Sequence, residues 1–348
     1  MFSSITLENM AAFQQFQWQQ HERLNLIIGE NDTGKTILLK LLYCIAKSIE
    51  ESQQHSEPSI SWPEIVADKL CWTFQPPTLE LGKLVHKGKS QLKVTTQWVA
   101  EEELTISFIL SDKTIRNILK FSPASFSNLT TLNALFLPPK EILTVIQAIE
   151  ATRNQLQITG FDDTNIDLIK ALRLPISTGK LPQDLQQAVT LLKTQMGKGQ
   201  IEFEQNEFLF KRGHETYAMS QTAEGIKKIG ILERLIRNKM LNTRSMLFLD
   251  EPEMNLHPRA IVTLVDALFQ MAKAGIQIYL VTHSYFVIKR FEWLARKHNE
   301  SIPLCSLSRS QNNEISAKFH NLRDGMPSNP IIEVSIELYE QDVLLDFE

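Results

Sequence analysis

A stretch near the start of the chain combines two glycines, a lysine and a threonine at the spacing G-x-x-x-x-G-K-[ST]. An apolar run at 24–28 precedes it and a helical pattern begins at 37, so a strand, a glycine loop and a helix follow one another. Such an arrangement points backbone N–H groups and the positive end of a helix dipole at one anion. The pattern predicts a triphosphate-binding loop that consists of Gly29, Glu30, Asn31, Asp32, Thr33, Gly34, Lys35 and Thr36.

The residue types of this loop suit different contacts with a nucleotide. Gly29 and Gly34 permit backbone conformations and a close approach that a Cβ atom would block. We expect Lys35 to reach the β- and γ-phosphates, and the hydroxyl of Thr36 to bind Mg²⁺. An ordinary glycine turn is the alternative interpretation, but the flanking strand and helix favour the phosphate site.

A pair of carboxylates, Asp250 and Glu251, follows a second apolar strand at 245–249. The carboxyl ends of strands are where open α/β sheets bind ligands. Adjacent carboxylates after a buried strand are unfavourable unless a cation meets them, and Mg²⁺ together with Lys35 supplies one. We expect Asp250 to hold Mg²⁺, directly or through water, and Glu251 to orient and deprotonate an attacking water. A strand-end acidic turn without a ligand is the alternative.

A histidine, His283, follows a third apolar strand at 277–281. The segment between this strand and Asp250 is long enough for one crossover helix, which predicts that the two strands are parallel neighbours. A neutral histidine at that position can hydrogen-bond a γ-phosphate and the attacking water. A histidine satisfied within the core is the alternative, although the two other motifs favour a functional role.

These three motifs resemble those of ATP-binding-cassette ATPases of the SMC, RecF and OLD type rather than those of membrane transporters. The Glu-Pro-Glu at 251–253 and the Leu-His-Pro at 256–258 are typical of the OLD-like branch. The resemblance covers residues 1–50 and about 217–290, and it includes an N-terminal hairpin like the one that opens such heads.

The fold that this resemblance implies is α/β, a P-loop NTPase of the ABC-ATPase type. A mixed central sheet is expected beside an antiparallel β-subdomain and a short helical arm or lid insertion. We expect residues 1–140 to form the N-terminal half of the ATPase head, with the phosphate loop and the β-subdomain. Residues 141–199 would form the helical insertion and 200–348 the C-terminal half, with the signature, the Walker B strand, the switch histidine and a terminal helix.

The signature segment of the family would fall just before the Walker B strand. Gly225 lies at a helix start as expected, but Glu224 stands where a serine normally precedes that glycine. The resemblance implies that the helix N-terminus with Gly225 caps the γ-phosphate bound by the opposite subunit. Glu224 would repel that phosphate, so we expect either that Lys227 or Lys228 compensates or that Ser220 does the work of the missing serine. A helix with an ordinary Ser/Thr cap is the alternative.

The function implied by the resemblance is hydrolysis of ATP to ADP and phosphate, with ATP and Mg²⁺ as cofactors. Two heads would enclose two ATP molecules in a homodimer or higher oligomer, and its reopening would signal to a separate effector protein, a nuclease or a toxin, in bacterial anti-phage defence. Two alternatives stay open. One is a DNA-repair or DNA-binding ATPase clamp, and the other is an ATP-binding scaffold with little hydrolysis.

The composition of the 348 residues, with 43% hydrophobic and 22% charged, is that of an ordinary globular protein. A net charge of −4 gives no global attraction to nucleic acid, so DNA contact would need a local patch such as the basic clusters at 83–89, 198–212 or 234–244. Solvated helix faces are the favoured interpretation of these clusters. Three scattered cysteines indicate neither a zinc site nor a disulfide framework. No secretory leader and no apolar run long enough to span a bilayer is visible, so we expect a cytoplasmic protein without membrane contact.

Local patterns predict the remaining elements. The helices are expected at 36–50, 64–74, in three pieces within 141–198, and at 286–298 and 331–339. The strands are expected within 1–28, at 79–85, 91–99, 104–110 and 132–137, in a hairpin at 200–218, and as edge strands at 302–307 and 314–320. A polar loop is expected at 51–63 and a turn at 321–327. After the strand at 132–137, residues 138–141 stand where the family often has a glutamine, and two alternatives stay open: Lys140 approaches the nucleotide, or Glu141 takes a metal-facing role.

Overall fold

The computed structural model describes residues 1–54, 61–99, 104–118, 120–122, 132–156, 158–310 and 314–328, together with seven positions between 331 and 341. The strands in these ranges are β1 (Phe2–Met10), β2 (Phe13–Gln19), β3 (Leu24–Gly29), β4 (Gln91–Trp98), β5 (Leu104–Ser111), β6 (Lys120–Ser122), β7 (Asn133–Leu137), β8 (Gln200–Glu204), β9 (Glu207–Arg212), β10 (Glu215–Ala218), β11 (Ser245–Asp250), β12 (Gln277–Val281), β13 (Pro303–Arg309) and β14 (Ile315–Asn321).

The helices of the same ranges are α1 (Lys35–Gln54), α2 (Trp62–Phe74), α3 (Ile146–Glu150), α4 (Asp163–Arg173), α5 (Gln183–Gln195), α6 (Glu224–Arg237), α7 (Pro258–Lys273) and α8 (Tyr285–His298). Short 3₁₀ turns lie at Pro77–Leu79, Leu81–Leu84, Met219–Gln221 and Leu322–Asp324, and a π-helical turn lies at Ala151–Gln155. Of the helix predicted at 331–339, the described positions 331, 333, 334, 337 and 339 are helical, and the other four lie outside the described residues.

A six-stranded mixed sheet forms the centre of the fold, in the order β14-β13-β3-β12-β11-β7. All neighbours pair in parallel except β14, which is antiparallel to β13. The strands β3, β11 and β12 are buried along their whole length, as their continuous apolar runs predict. Because β3, β12 and β11 are neighbours, the loops that follow them meet at one edge of the sheet.

The two faces of this sheet are covered by different layers. Side chains of β11 alternate between them: Phe248 belongs to a core shared with α1, α2 and the antiparallel strands, and Leu247 and Leu249 to a core shared with α4 to α8. The alternation follows from the two-residue period of a strand. Of the helical stretch within 141–198, α4 packs against β7 of the central sheet, and α5 packs on α6 and α7.

An antiparallel sheet in the order β2-β1-β4-β5-β6 lies on the face that α1 occupies. This sheet confirms the antiparallel strands predicted near 91–99 and 104–110. The strand predicted at 79–85 was wrong, since 3₁₀ turns occupy most of that segment and only Val85 forms a single bridge, with Met10. Positive φ angles at Thr78 and Leu79 break an extended chain there.

Three further predictions need correction. The polar loop at 51–63 begins later, because α1 continues to Gln54, and α2 already starts at Trp62. The hairpin at 200–218 is a three-stranded meander, β8-β9-β10. The strand near 302–307 is not an edge strand, because β13 lies between β3 and β14. The strand β13 pairs with β3 on one side and with β14 on the other, so neither of its edges is free.

A buried ion network ties α2 and α4 to the helix that begins at the glycine loop. Lys69 of α2 lies 2.9 Å from Asp167 and 3.1 Å from Asp163 of α4, and 2.8 Å from Glu51 of α1. The hydroxyl of Tyr43, also on α1, donates to Asp167 at 2.5 Å. Burial acts against ionisation of Asp167, but the charges of Lys69 and Lys47 and the hydrogen bonds from Tyr43 and Lys69 together hold the pKa of this carboxyl below its ordinary value.

Candidate functional site

The predicted phosphate loop joins the end of β3 to the start of α1. Gly29 has φ +149°, and a Cβ atom there would lie 2.3 Å from the carbonyl oxygen of Leu307. Gly34 has φ +85°, and its Cβ would lie 2.8 Å from the ring of Phe13. Both positions thus need glycine for the conformation and for the space. The backbone at Glu30 to Asp32 is exposed between them.

Inside the loop, the side chains of Thr33 and Lys35 both donate hydrogen bonds to one backbone carbonyl group, that of Glu30. The oxygen of Glu30 accepts from the Thr33 hydroxyl at 2.8 Å and from Lys35 Nζ at 2.5 Å. Burial lowers the pKa of Lys35, while the charges of Glu251 and Asp250 oppose that shift. The ammonium group is thus bonded to the Glu30 oxygen and also experiences the negative charges of Glu251 and Asp250.

The loop and the Walker B strand meet at Thr36 and Asp250. The Thr36 hydroxyl donates to Asp250 Oδ2 at 3.0 Å, across more than two hundred residues of chain. Burial raises the pKa of Asp250, although the bond from Thr36 opposes the shift. This contact places the two predicted metal ligands side by side.

The same pair offers a test of whether Mg²⁺ fits. Mg²⁺ takes oxygen ligands about 2.1 Å away in an octahedron, so neighbouring ligands lie about 3 Å apart. The 3.0 Å between the oxygens of Thr36 and Asp250 matches that spacing. Among the described residues no cluster of three or more His, Cys, Asp or Glu side chains could hold a metal. A hydroxyl and one carboxylate, completed by phosphate oxygens and water, is the arrangement that Mg²⁺ commonly accepts.

Glu251 and His283 stand together beside this point. His283 Nε2 lies 3.4 Å from Glu251 Oε1, and both side chains are about one-third exposed, at 32% and 31%. Burial lowers the pKa of His283, assisted by Lys35 and opposed by Glu251, so the ring is neutral near pH 7. Glu251 has φ +48°, and its N–H donates to the oxygen of Val281 at 3.0 Å. The left-handed backbone turns the chain sharply just after β11.

A third acid, Glu253, was quoted in the sequence analysis only as part of a motif. It is buried, its Oε1 accepts from the Thr282 hydroxyl at 2.5 Å, and burial raises its pKa. The N–H of Ser284 in turn donates to the Thr282 oxygen at 3.0 Å. The loops after β11 and β12 are thereby joined. The position of Glu253 three residues after Asp250 is the sequence signal that could have identified it. The motif, however, does not say which residue Glu253 contacts.

Lys228 of α6 points toward the same carboxylates. Its Nζ lies 3.4 Å from the backbone oxygen of Glu251, and the residue is only 3% exposed. Burial lowers the pKa of Lys228, while the charges of Glu253 and Glu251 oppose the shift. A buried cation on the signature helix thus faces the acids of its own head.

The signature residues lie apart from the Thr36–Asp250 contact. Gly225 lies in the first turn of α6, where an added Cβ would be 2.7 Å from Leu256 in the loop after β11. Lys227 pairs with Glu224 at 2.7 Å, and so it compensates that carboxylate as the sequence analysis considered. Ser220 lines a separate cavity of about 310 Å³ between α3 and β9.

The segment after β7 contacts the same helix. Lys227 Nζ also lies 3.5 Å from Glu141, whose carboxylate accepts from the backbone N–H of Thr144 at 3.0 Å. The carboxylate of Glu141 is therefore engaged by Lys227 of α6 and by the N–H of Thr144. Lys140, the other candidate in this segment, is exposed.

The basic clusters weighed for nucleic acid are largely occupied by contacts within the chain. The guanidinium of Arg234 is buried and donates to the backbone oxygens of Leu172 and Ile201. Arg237 lies 2.6 Å from Glu233, and Lys211 lies 2.5 Å from Glu204. Those contacts favour the structural interpretation of the clusters at 198–212 and 234–244. No helix of the described residues combines the length and apolar character needed to cross a bilayer.

Comparison with known proteins identifies the fold. No curated protein matches the chain. This chain is similar in structure to an SMC head bound to the C-terminal winged-helix domain of ScpA, with a TM-score of 0.55 and 11% sequence identity. The superposition covers 93% of this chain and 99% of that one. The SMC head domain from Thermotoga maritima gives a TM-score of 0.48 at 12% identity, covering 91% of this chain and 98% of that one. The likeness to the first of these structures supports the predicted mixed α/β fold.

The family comparison covers the signature helix, the Walker B strand and the switch histidine, but begins after the phosphate loop. Residues 91–289 match the family described as "AAA domain, putative AbiEii toxin, Type IV TA system". That range is more than half of the chain and contains Asp250, Glu251 and His283. The resemblance to SMC-like ATPase heads is thus confirmed, and the chain belongs to this AAA domain family.

Proposed function

We propose that this chain binds ATP with Mg²⁺ between its glycine loop and its paired acids, and hydrolyses it. The contact of Thr36 with Asp250 at 3.0 Å carries the proposal, because it unites the two motifs at one point. Glu251 and His283, 3.4 Å apart, stand beside them. A triphosphate site flanked by an acid and a neutral histidine suits transfer of a phosphoryl group to water better than to a bound acceptor.

Each residue has a role in this proposal. The loop from Gly29 to Thr36 binds the triphosphate, and Lys35 supplies a positive charge to it. Thr36 and Asp250 would hold Mg²⁺, which neutralises phosphate charge when bound. The Glu251 carboxylate orients the attacking water and takes its proton.

The histidine acts beside that acid. His283 is neutral because its pKa is lowered. A neutral ring can donate a hydrogen bond to a γ-phosphate oxygen through one nitrogen and accept one through the other. His283 therefore distinguishes the triphosphate from the diphosphate.

We further propose that two heads dimerise around ATP, with Ser220 and Gly225 of each head capping the nucleotide of the other. Exposed apolar side chains next to the catalytic residues support this. Met254, Tyr285 and Phe286 are 39%, 36% and 49% exposed. Such side chains around a polar site suit a surface that a second copy covers.

The biological role that we propose is a conformational signal to a separate effector protein, a nuclease or a toxin, in anti-phage defence. The family description names a toxin of a type IV toxin–antitoxin system, which supports a role of that kind. Since ATP is required, we also propose a cytoplasmic location.

The hydrolysis proposal is tested by phosphate release from the wild type, Lys35→Ala and Glu251→Gln. We expect Lys35→Ala to lose ATP binding with the fold intact, and Glu251→Gln to bind ATP but turn over at least about a hundredfold more slowly. Gel filtration of Glu251→Gln with ATP should give a dimer, since ATP then stays bound. A monomer under those conditions would contradict the dimer, and unchanged ATP affinity of Lys35→Ala would contradict the loop assignment.

An ATP-binding scaffold with little hydrolysis is the second candidate, because Glu224 replaces the serine of the signature and is paired with Lys227 at 2.7 Å. Equally slow phosphate release by the wild type and Glu251→Gln would favour it. The DNA clamp remains a hypothesis, and DNA binding that needs ATP and weakens steeply with salt would support it.

A further inference from the structure

We propose that Arg309 is a positioning residue for nucleotide binding, whose guanidinium holds the tip of the phosphate loop in its binding shape. The proposal rests on the ATP binding proposed above. Arg309 is the last residue of β13, and this strand runs parallel to β3 with Leu307 paired to Gly29. The end of β13 therefore lies directly against the loop.

Arg309 makes two contacts with one loop residue. Its Nη2 lies 2.9 Å from Asp32 Oδ2, and the same nitrogen donates to the backbone oxygen of Asp32. The Asp32 side chain is 89% exposed, so the ion pair alone contributes little. The backbone contact has the larger consequence, because it fixes the peptide group that joins Asp32 to Thr33.

The conformation at Asp32 explains why such a hold is needed. Asp32 has φ +60°, a left-handed conformation that residues with a Cβ atom adopt rarely. Alternating left- and right-handed residues turn successive N–H groups toward one side, which makes a concave site for an anion. Without Arg309, Asp32 is free to relax and the neighbouring N–H groups turn away from the phosphate site.

The loop is thus held from both sides. From within, the Glu30 oxygen accepts from Thr33 at 2.8 Å and from Lys35 at 2.5 Å. From outside, Arg309 occupies the Asp32 oxygen. The carbonyl groups of Glu30 and Asp32 are thus engaged by side chains, and this fixes two peptide groups of the loop.

The experiment measures ATP affinity for the wild type, Arg309→Gln, Arg309→Lys and a control, Arg323→Gln. Arg323 lies beyond β14 and pairs only with its neighbour Asp324, at 3.6 Å, in the described residues. We expect Arg309→Gln to weaken ATP binding about tenfold, or ~1.4 kcal/mol, with kcat within about twofold, since the catalytic acid is untouched. Lysine lacks the planar fork of arginine, so Arg309→Lys should recover only part of the affinity.

A second measurement needs no nucleotide. Amide hydrogen exchange of residues 29–35 in the nucleotide-free protein should be faster in Arg309→Gln than in the wild type and the control. Wild-type affinity together with wild-type exchange in Arg309→Gln would overturn the proposal. Full rescue by Arg309→Lys would also overturn it, because charge alone would then suffice. If the wild type binds no ATP at all, the proposed function fails, while the exchange rates still decide whether Arg309 holds the loop.

Discussion

Replacing Lys69 by methionine should destabilise the protein strongly at neutral pH. Lys69 is 6% exposed and lies within 3.1 Å of three carboxylates, those of Glu51, Asp163 and Asp167. Methionine keeps most of the volume but removes the buried cation that the three acids share, and leaves them Arg153, 3.2 Å from Asp163, and the exposed Lys170, 3.8 Å from Asp167. Removing one partner of a buried ion pair lowers the free energy of unfolding by about 3–5 kcal/mol.

This loss of unfolding free energy can be measured as a shift of the melting temperature. An unfolding entropy of about 2.1 cal/mol/K per residue, over 348 residues, means that each kcal/mol shifts the midpoint by about 1.4 °C. The Lys69→Met protein should therefore melt about 4–7 °C below the wild type. Lys170→Met is the matched control, because Lys170 lies 3.8 Å from the same Asp167 but its side chain is 74% exposed. We expect this control to shift the midpoint by less than about 1 °C.

The pH dependence separates charge from packing. In the wild type the pKa of Asp167 is held below its ordinary value, so its contribution is complete above about pH 4 and is lost only below that. In Lys69→Met the buried carboxyl of Asp167 loses its main counter-charge and binds its proton at higher pH, so the deficit relative to the wild type should shrink as the pH falls from 7.5 to 5. A deficit that stays constant over this range, or one below about 1 kcal/mol at pH 7.5, would refute the argument.

Further changes should have separable effects. Gly34→Ala places a methyl group 2.8 Å from the Phe13 ring at a φ of +85°, so we expect loss of ATP binding in a nucleotide titration and a lower melting temperature. Thr282→Val removes the donor to Glu253 and should cost about 2 kcal/mol in urea unfolding, whereas Thr282→Ser should restore it. Burial lowers the pKa of His21 from 6.5 to about 3, so as the pH falls His21 binds a proton in the unfolded chain before it does so in the folded protein. Stability should fall as the pH drops from about 6.5 toward 3, and urea midpoints of His21→Gln should lack that part of the slope.

The residues that carry chemistry could be predicted because their neighbours in the sequence reveal their surroundings. An apolar run ending in Asp250 and Glu251 specifies a buried strand with acids at its end, and the glycines at 29 and 34 specify a turn before a helix. These patterns depend on local chain geometry, which a sequence contains directly. The signature was less accessible, since Glu224 departs from the family and its pairing with Lys227 depends on the first turn of α6.

Other features depend on the order of strands and could not be predicted. Nothing local places β13 between β3 and β14, so the contact of Arg309 with the loop is invisible in the sequence. The bond between Thr282 and Glu253 likewise needs β11 and β12 to be neighbours in register. At 79–85 the apolar residues suggested alternation, but the positive φ angles of Thr78 and Leu79 and the 3₁₀ turns that follow depend on contacts with distant residues, such as the close packing of Gly82 against Asp112.

The close approach of Gly225 to the loop after β11 links two functions within one head. A Cβ atom at Gly225 would lie 2.7 Å from a side-chain carbon of Leu256 and 3.1 Å from the backbone oxygen of Asn255, so the start of α6 packs closely on this loop. We expect a movement of the loop to be transmitted to the start of α6. In the proposed dimer, hydrolysis at one ATP site would disturb the cap over the nucleotide in the other site. The two sites would then hydrolyse ATP in a coupled manner and not independently.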